Sequence, residues 1–168
     1  YGVMLDDIER LDTLINHMLD AARIEQTQPD DDRQVVDLAQ VLRSSAETSC
    51  NRYHVPQDTV TLDLQPAAVY ARLIDVEMAF RNLIDNAIKY GGDPPRVEVR
   101  CASKIFSRFV RLGSELERSK TGTGLGLYIV RTAVKQMRGK VNVRARGDAQ
   151  GTVFEVELPA CEPAAIQG

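Results

Sequence analysis

The sequence lacks the features that would place it among membrane, disulfide-rich or metal-binding proteins. It has no tryptophan, and only three cysteines occur among its 168 residues. Cys50, Cys101 and Cys161 are too widely spaced for a metal or redox motif, so we expect ordinary thiols in a reducing compartment. No apolar run approaches the roughly 20 residues of a membrane helix, and no signal peptide is visible.

An excess of positive charge is also absent. The chain has 21 Lys and Arg residues against 24 Asp and Glu residues, a net charge of −3. A general nucleic-acid binder would be basic, so we expect no nucleic-acid partner. Hydrophobic residues make up 43%, enough for the core of one sizeable domain with an appendage. Because the chain begins at Tyr1 rather than Met, we expect a fragment of a longer protein.

The first 26 residues predict a long bundle helix. Its apolar residues are spaced alternately by four and three, which is a seam of period 3.5; they are Met4, Ile8, Leu11, Ile15, Met18 and Ala22. Such a stripe must be covered, and no second helix of the same kind follows. We therefore expect its partner upstream or in another copy of the chain. The alternative is packing on the chain's own domain. His17 lies beside the seam, where we expect a surface or packing role.

A polar linker at 27–33 separates this helix from a globular unit at 34–160, and we expect a flexible tail at 161–168. Helices are predicted from Asp37 to Arg52, from Asp75 through Lys89 and from Gly124 to Met137, the first two with the aspartate as N-cap. Strands are predicted at Val35–Val36, Thr59–Leu64, Arg96–Cys101, Lys140–Arg146 and Thr152–Leu158. Helices and antiparallel strands in mixed order predict an α+β sandwich with helices on one face of a sheet.

The segment FRNLIDNAIKY (80–90) predicts a helix with an unusual polar face. Opposite its apolar stripe lie Asn82, Asn86 and Lys89, at spacings of four and three. Asparagine costs about half a kcal/mol relative to alanine within a helix, so two in register indicate a use for the amides. An amide oxygen can bind Mg²⁺ while a polyphosphate supplies charge, and a lysine one turn on can reach the phosphates. Two tolerated surface asparagines are the alternative.

The segment TGTGLGLYIV (121–130) places three glycines before a helix but matches neither the Walker A motif nor the dinucleotide fingerprint. Glycines allow close backbone approach, and a helix N-terminus favours an anion such as phosphate. Tight packing of the helix on a strand is the alternative explanation. Upstream, KIFSRFVR (104–111) carries Arg108 and Arg111, and a polar segment follows at 112–121. These cations favour a nucleotide-phosphate pocket.

In this order, the segments resemble the kinase core of bacterial two-component sensor histidine kinases. NLIDNAIKY (82–90) resembles the family's N box, KIFSRFVR its F box and GTGLGLYIV (122–130) its second glycine box. LINHMLDAARIE (14–25) resembles the end of the second helix of the dimerisation and phosphotransfer region. The resemblance covers nearly the whole chain, and the order of the boxes is more specific than any single box.

The resemblance implies a two-layer α/β sandwich with a mixed, mainly antiparallel sheet, of the ATP-binding type shared with gyrase, Hsp90 and MutL. It implies that Asn86 holds Mg²⁺, that Asn82 lies beside the metal and phosphates, and that 112–121 forms a lid. Tyr90 would lie near the nucleotide, and Arg108 or Arg111 near the γ-phosphate. The implied nucleotide-binding set is Asn82, Asn86, Lys89, Tyr90, Arg108, Arg111, Thr121, Gly122, Thr123, Gly124, Leu125, Gly126 and Leu127.

The implied activity is transfer of the γ-phosphate of Mg-ATP to a histidine, followed by relay to an aspartate of a response-regulator receiver domain. The implied assembly is a homodimer through helix 1–26, in the cytoplasm, with any membrane anchor upstream. The family's phosphoacceptor histidine belongs to a first dimerisation helix that this chain lacks, and neither His17 nor His54 lies in its motif. We therefore expect no catalytic residue of that kind here, and no autophosphorylation by the fragment alone.

A second departure concerns the family's first glycine box, Asp-x-Gly-x-Gly, whose aspartate reads the adenine. Here RVEVRCA (96–102) runs directly into SKIFSRF (103–109), so a strand and loop of about 15–25 residues are missing. We expect a segment of the natural protein that this chain does not include. A true deletion would instead indicate a non-catalytic pseudokinase or dimerisation module. An anti-sigma-factor serine kinase is disfavoured by the seam helix and the F box.

Overall fold

Four helices and seven strands form the part of the chain that the computed structural model describes, residues 2–26, 32–102, 124–147 and 151–161. They are α1 (Gly2–Gln26), β1 (Arg33–Asp37), α2 (Leu38–Arg52), β2 (Val60–Leu64), β3 (Ala68–Arg72), α3 (Leu73–Lys89), β4 (Val97–Cys101), α4 (Leu125–Gln136), β5 (Lys140–Ala145), β6 (Thr152–Glu157) and β7 (Ala160–Cys161). Every helix and strand predicted from the sequence is present, with each bound shifted by no more than two residues. The α+β class is confirmed.

The strands pair in three groups. Strands β1, β3 and β7 form an antiparallel sheet in that order, β2 pairs in parallel with β4, and β5 pairs antiparallel with β6. The mixed, mainly antiparallel character is as predicted. Among the described residues, β4 pairs only with β2 and β6 only with β5, so each keeps one edge without a neighbouring strand. The junction between Ala102 and Ser103 lies at the limit of the described residues.

The core lies between the strands and the packed helices α2, α3 and α4. The apolar stripe predicted for α3 is fully inside; its members are Phe80, Leu83, Ile84, Ala87 and Ile88. Alternate residues of β4, namely Val97, Val99 and Cys101, are buried as well. This period of two gives the strand one face toward the helices. Burial of these side chains fixes the rotation of α3 about its axis, and with it the position of its polar residues.

The two predicted N-caps have different outcomes. Asp37 caps α2 as predicted, because its Oδ1 accepts hydrogen bonds from the backbone N of Ala39 at 2.9 Å and of Gln40 at 3.3 Å. The prediction that Asp75 caps α3 is wrong, since α3 begins at Leu73 with Arg72 in the cap position. The carboxylate of Asp75 instead accepts two hydrogen bonds from Arg72, at 2.8 and 2.7 Å. Arg72 is only 2% exposed, so its charge needs this partner.

Strands β3 and β7 were not predicted. The sequence of β3, AVYAR, does not alternate between apolar and polar residues, and in the structure only Tyr70 is exposed. Alanine also has a weak strand preference, so no local signal marked this strand. Strand β7 is two residues long and ends at Cys161, the first residue of the predicted tail. Strand β1 begins at Arg33, the last residue of the predicted linker. Residues 27–31 and 162–168 lie outside the described ranges.

Helix α1 divides into an exposed and a packed part. Large apolar side chains of the seam are 51–67% exposed; they are Met4, Leu5, Ile8, Leu11, Ile15, Met18 and Leu19. Asp20 and Ile24, in the last two turns, are buried against the globular unit. The helix therefore packs on its own domain only through its C-terminal end. None of the helices in the described ranges combines the length and apolar composition that a bilayer crossing requires.

Candidate functional site

Helices α3 and α4 bring two distant predicted segments together. A Cβ placed on Gly126 would lie 3.4 Å from Nδ2 of Asn86 and 3.6 Å from Oδ1 of Asn82. These residues come from the NLIDNAIKY and TGTGLGLYIV segments, which are some 40 positions apart in the sequence. The packing of α3 on α4 therefore builds one corner, which we call the amide corner: Asn82, Asn86 and Gly126. It is the centre of the candidate site.

The asparagine face of α3 is covered rather than solvated. Asn82 is 3% exposed, and its Nδ2 donates a hydrogen bond to the carbonyl of Met78 at 2.8 Å. Its Oδ1 therefore points toward Gly126. An amide oxygen of this kind can bind Mg²⁺. Asn86 is half-buried, and Lys89 is exposed one turn further on. Tolerated surface asparagines do not account for a buried Asn82.

The start of α4 offers unsatisfied backbone donors. Gly124 is the N-cap residue and has φ +70° and ψ −13°, the left-handed region that glycine enters without strain. No side chain among the described residues caps this end, so the first N–H groups of α4 keep their partial positive charge. Such an end favours an anion.

Tight packing does not explain the two described glycines. A Cβ on Gly126 would meet its neighbours at ordinary van der Waals distance, and a Cβ on Gly124 would have no heavy atom within 4 Å. Neither position therefore needs glycine to let a strand approach. At Gly126 the missing side chain leaves a space bordered by two amides. A ligand that contacts the backbone of α4 would use that space.

The remaining predicted residues have separate places. Tyr90 is half-buried at the end of α3, and Nζ of Lys89 lies 5.6 Å from the centre of its ring. Leu125 is half-buried, while Leu127 lines a groove of about 240 Å³ between α4 and β5, away from the amide corner. Arg108, Arg111, Thr121, Gly122 and Thr123 lie outside the described residues.

A buried carboxylate, that of Asp85, holds α3 against α2 next to the amide corner. Asp85 precedes Asn86 and accepts hydrogen bonds from Oγ of Ser49 at 2.5 Å and from Nη1 of Arg52 at 3.0 Å. Burial raises the pKa of Asp85, while the hydrogen bond from Ser49 and the charges of Arg52, Arg81 and His17 act in the opposite direction. These contacts tie α3 to α2. This role was not predicted from the sequence, although an aspartate directly after the buried Leu83 and Ile84 was a visible signal.

Helix α1 also reaches the amide corner, which the sequence did not reveal. Cε1 of His17 would lie 3.6 Å from a Cβ on Gly126, so this half-buried side chain lies at the amide corner. Burial lowers the pKa of His17; Asp20 and Asp85 oppose the shift, and Lys89 and Arg52 add to it. The expected packing role of His17 holds, but its packing partner is the candidate site itself.

A metal at this corner would depend on a ligand as well as on the protein. The described residues contain no group of three or more His, Cys, Asp and Glu side chains that could hold a metal ion. Amide oxygens alone bind Mg²⁺ weakly, and Mg²⁺ commonly completes its coordination with substrate phosphates and water. The donor set therefore fits Mg²⁺ that arrives together with a polyphosphate.

Comparison with known sequences gives one family match and a group of relatives. The family model described as histidine kinase-, DNA gyrase B- and HSP90-like ATPase matches residues 101–162. Sensor protein SrrB of Staphylococcus aureus strain N315 is 25% identical over 188 residues, which cover 96% of this chain and 31% of SrrB. The chain thus spans about a third of the length of the curated relatives it matches. The aligned span of 188 residues exceeds the 168 residues of the chain, so SrrB has residues within it that this chain lacks.

Comparison with solved structures gives the same family of folds. The mycobacterial sensor histidine kinase MprB matches with a TM-score of 0.61 and 25% identity, over 76% of this chain and 98% of that one. Full-length ShkA, solved in complex with AMPPNP, matches with a TM-score of 0.68 and 22% identity, over 95% of this chain and 38% of that one. The likeness to ShkA concerns the fold alone.

Proposed function

We propose that the chain is the catalytic part of a sensor histidine kinase, like the relatives and solved structures it resembles, and that it binds Mg-ATP and presents the γ-phosphate for transfer to a histidine. The observation that carries this proposal is the amide corner, where two amides of α3 meet the backbone of α4 beside a helix end that no described side chain caps. Amide oxygens, backbone N–H groups and a lysine together suit a metal-bound triphosphate better than any other common ligand.

Each part of the corner has a distinct task in this proposal. The first N–H groups of α4 and the ammonium of Lys89 would bind phosphate oxygens. The amide oxygen of Asn86 would hold the metal, and Asn82, fixed by its bond to Met78, would border it. Mg²⁺, when bound, supplies charge neutralisation on the phosphates. The hydrogen bonds of Asp85 to Ser49 and Arg52 keep α3 in place, so that the amides are already oriented when the ligand arrives.

The acceptor histidine and the dimer are proposed for the longer protein. The exposed seam of α1 would pack on a first dimerisation helix and on a second copy, because an uncovered apolar stripe of this size is unfavourable in water. The first helix would carry the acceptor histidine, and the phosphoryl group would pass to an aspartate of a response regulator. We place the unit in the cytoplasm, with residues 1–26 as the bundle helix and 34–160 as the catalytic domain.

The adenine-reading part of the site would come from a segment between Ala102 and Ser103. Two observations support it: the aligned span of SrrB is longer than this chain, and β4 and β6 each have an edge without a neighbouring strand among the described residues. A strand inserted between Ala102 and Ser103 would continue the chain directly from β4 and could pair with its open edge.

Titration calorimetry with Mg-ATP tests the proposal. The protein to use is the longer natural chain with its 102–103 region intact. We expect saturable binding that requires Mg²⁺, and absence of binding at millimolar nucleotide would reject the proposed function. Asn86→Ala should abolish the Mg²⁺ dependence, while Asn51→Ala, at the exposed end of α2, is the matched control and should bind normally.

A non-catalytic dimerisation module is the second candidate, favoured by the direct succession of Ala102 and Ser103 in the sequence. Peptide mapping of the natural protein separates the two. Cleavage after glutamate releases residues 99–115 as one peptide if the deletion is genuine. A peptide longer by about 15–25 residues, or additional peptides between these ends, would show the inserted segment and reject the second candidate.

A further inference from the structure

The C-terminal part of α1 places His17 at the amide corner. Cε1 of His17, Oδ1 of Asn82 and Nδ2 of Asn86 all lie within 3.6 Å of the point where a Cβ on Gly126 would stand. That spacing is ordinary contact for one carbon atom, so the space between them holds about one methyl group. A phosphate with four oxygens is larger. A phosphate placed on this side of Gly126, between the two amides, would therefore meet the imidazole of His17.

Three further contacts hold α1 there. Asp20 forms an ion pair with Arg81 of α3 at 3.0 Å, with side chains 10% and 31% exposed. The hydroxyl of Tyr128 donates to Glu25 at 2.9 Å, and Nε2 of Gln136 donates to the carbonyl of Ile24 at 3.2 Å. Ile24 itself belongs to the hydrophobic core. The docking therefore uses apolar burial and polar contacts to both helices of the amide corner.

We propose that docking of α1 and binding of the nucleotide phosphates exclude each other, with His17 as the wedge. The inference rests on the proposed function, because it concerns the same site. Nucleotide would bind only to molecules in which the end of α1 has moved away from α3 and α4. The bundle helix would thus regulate access to ATP, since any force that moves α1 changes the fraction of molecules able to bind.

A charge-swap series tests this exclusion. Asp20→Arg and Arg81→Asp each place like charges at the α1–α3 contact, and the double variant restores an ion pair with the net charge of the natural protein. We expect each single variant to bind Mg-ATP about fivefold tighter than the natural protein, because a partly buried ion pair is lost and a repulsion is added. The double variant should return to the natural affinity. Circular dichroism checks that each variant is folded.

The pattern of affinities decides the outcome. Tighter binding in Asp20→Arg with weaker binding in Arg81→Asp would mean that only local charge matters, and would overturn the exclusion. Equal affinities in all four proteins would overturn it while leaving the proposed function intact. Absence of binding in all four would reject the proposed function together with the exclusion. Tighter binding in both single variants, despite their opposite changes in charge, supports the exclusion.

The two histidines of the chain give an independent readout. In proton NMR, Mg-ATP should move the imidazole signals of His17 toward those of a solvent-exposed histidine, because the side chain leaves the corner. His54, at the end of α2, serves as an internal reference and should not respond. Saturation of the site with His17 signals unchanged would overturn the exclusion in the natural protein without any substitution.

Discussion

At Gly126, a packing role and a phosphate-binding role predict different effects of substitution: the first a loss of stability, the second a loss of nucleotide affinity. Gly126→Ala adds a carbon that meets its neighbours at 3.4 Å or more, so the free energy of unfolding should change by no more than about 1 kcal/mol. Mg-ATP affinity should fall about tenfold or more, because the added methyl fills the space beside the amides. Thermal unfolding and calorimetry measure the two effects.

Gly124→Ala is the matched control for this prediction. Its φ of +70° disfavours alanine although the space around it is open, so we expect a loss of about 1–2 kcal/mol in the free energy of unfolding. Gly124→Ala is thus the control for backbone strain, which Gly126→Ala should not show. Undiminished nucleotide affinity in Gly126→Ala would contradict the phosphate role of the amide corner.

His17 predicts how stability depends on pH. Burial lowers its pKa from 6.5, so the unfolded chain binds a proton more readily than the folded protein. The contribution of neutral His17 to the free energy of unfolding is therefore fully present above about pH 6.5. It is lost as the pH falls through the lowered pKa of the folded state. His17→Gln should flatten the pH dependence of the unfolding free energy across this window. A slope that persists in His17→Gln would contradict the assignment.

The residues of the site differ in how far the sequence could predict them. Asn82, Asn86 and Lys89 are visible because they share one helix, whose period fixes their common face. The sequence does not reveal that Asn82 is buried or that His17 lies near Gly126, because both depend on which helices pack on that face of α3. Residues 17 and 126 are far apart in the chain, and no local rule links them.

Among the elements, β4 shows what local reasoning can and cannot supply. Its alternating pattern predicted the strand, but its parallel pairing with β2 depends on tertiary contacts and is not visible in the local pattern. In contrast, β3 was missed because alanine-rich AVYAR carries no alternation. The Asp75 cap was misassigned because an aspartate in a first turn can serve a neighbouring arginine instead of the backbone.

The open edge of β4 leads to a prediction for hydrogen exchange. In a strand paired on one side, only alternate backbone N–H groups are bonded, so residues 97–101 should show alternating fast and slow amide exchange in this chain. In the longer natural chain the fast amides should become protected, because an added strand would bond them. NMR-detected exchange reads each amide separately. Uniform protection in the short chain would show that another strand already pairs with β4.

At the scale of the whole molecule, one continuous helix, α1, links an exposed apolar stripe to the candidate site. The seven exposed apolar residues of α1 call for other helices, while its last turns cover the amide corner. A change in the packing of the exposed stripe would therefore reach the amide corner through one continuous helix, without a separate relay.

Mg²⁺-dependent nucleotide binding tests the central claim most directly. Calorimetry of the longer natural chain with ATP, with and without Mg²⁺, should give saturable binding that weakens at least tenfold without the metal. In Asn86→Ala, affinity should be low and indifferent to Mg²⁺. If Asn86→Ala binds Mg-ATP as tightly as the natural protein, the amide corner is not the metal and phosphate site, and the account is contradicted.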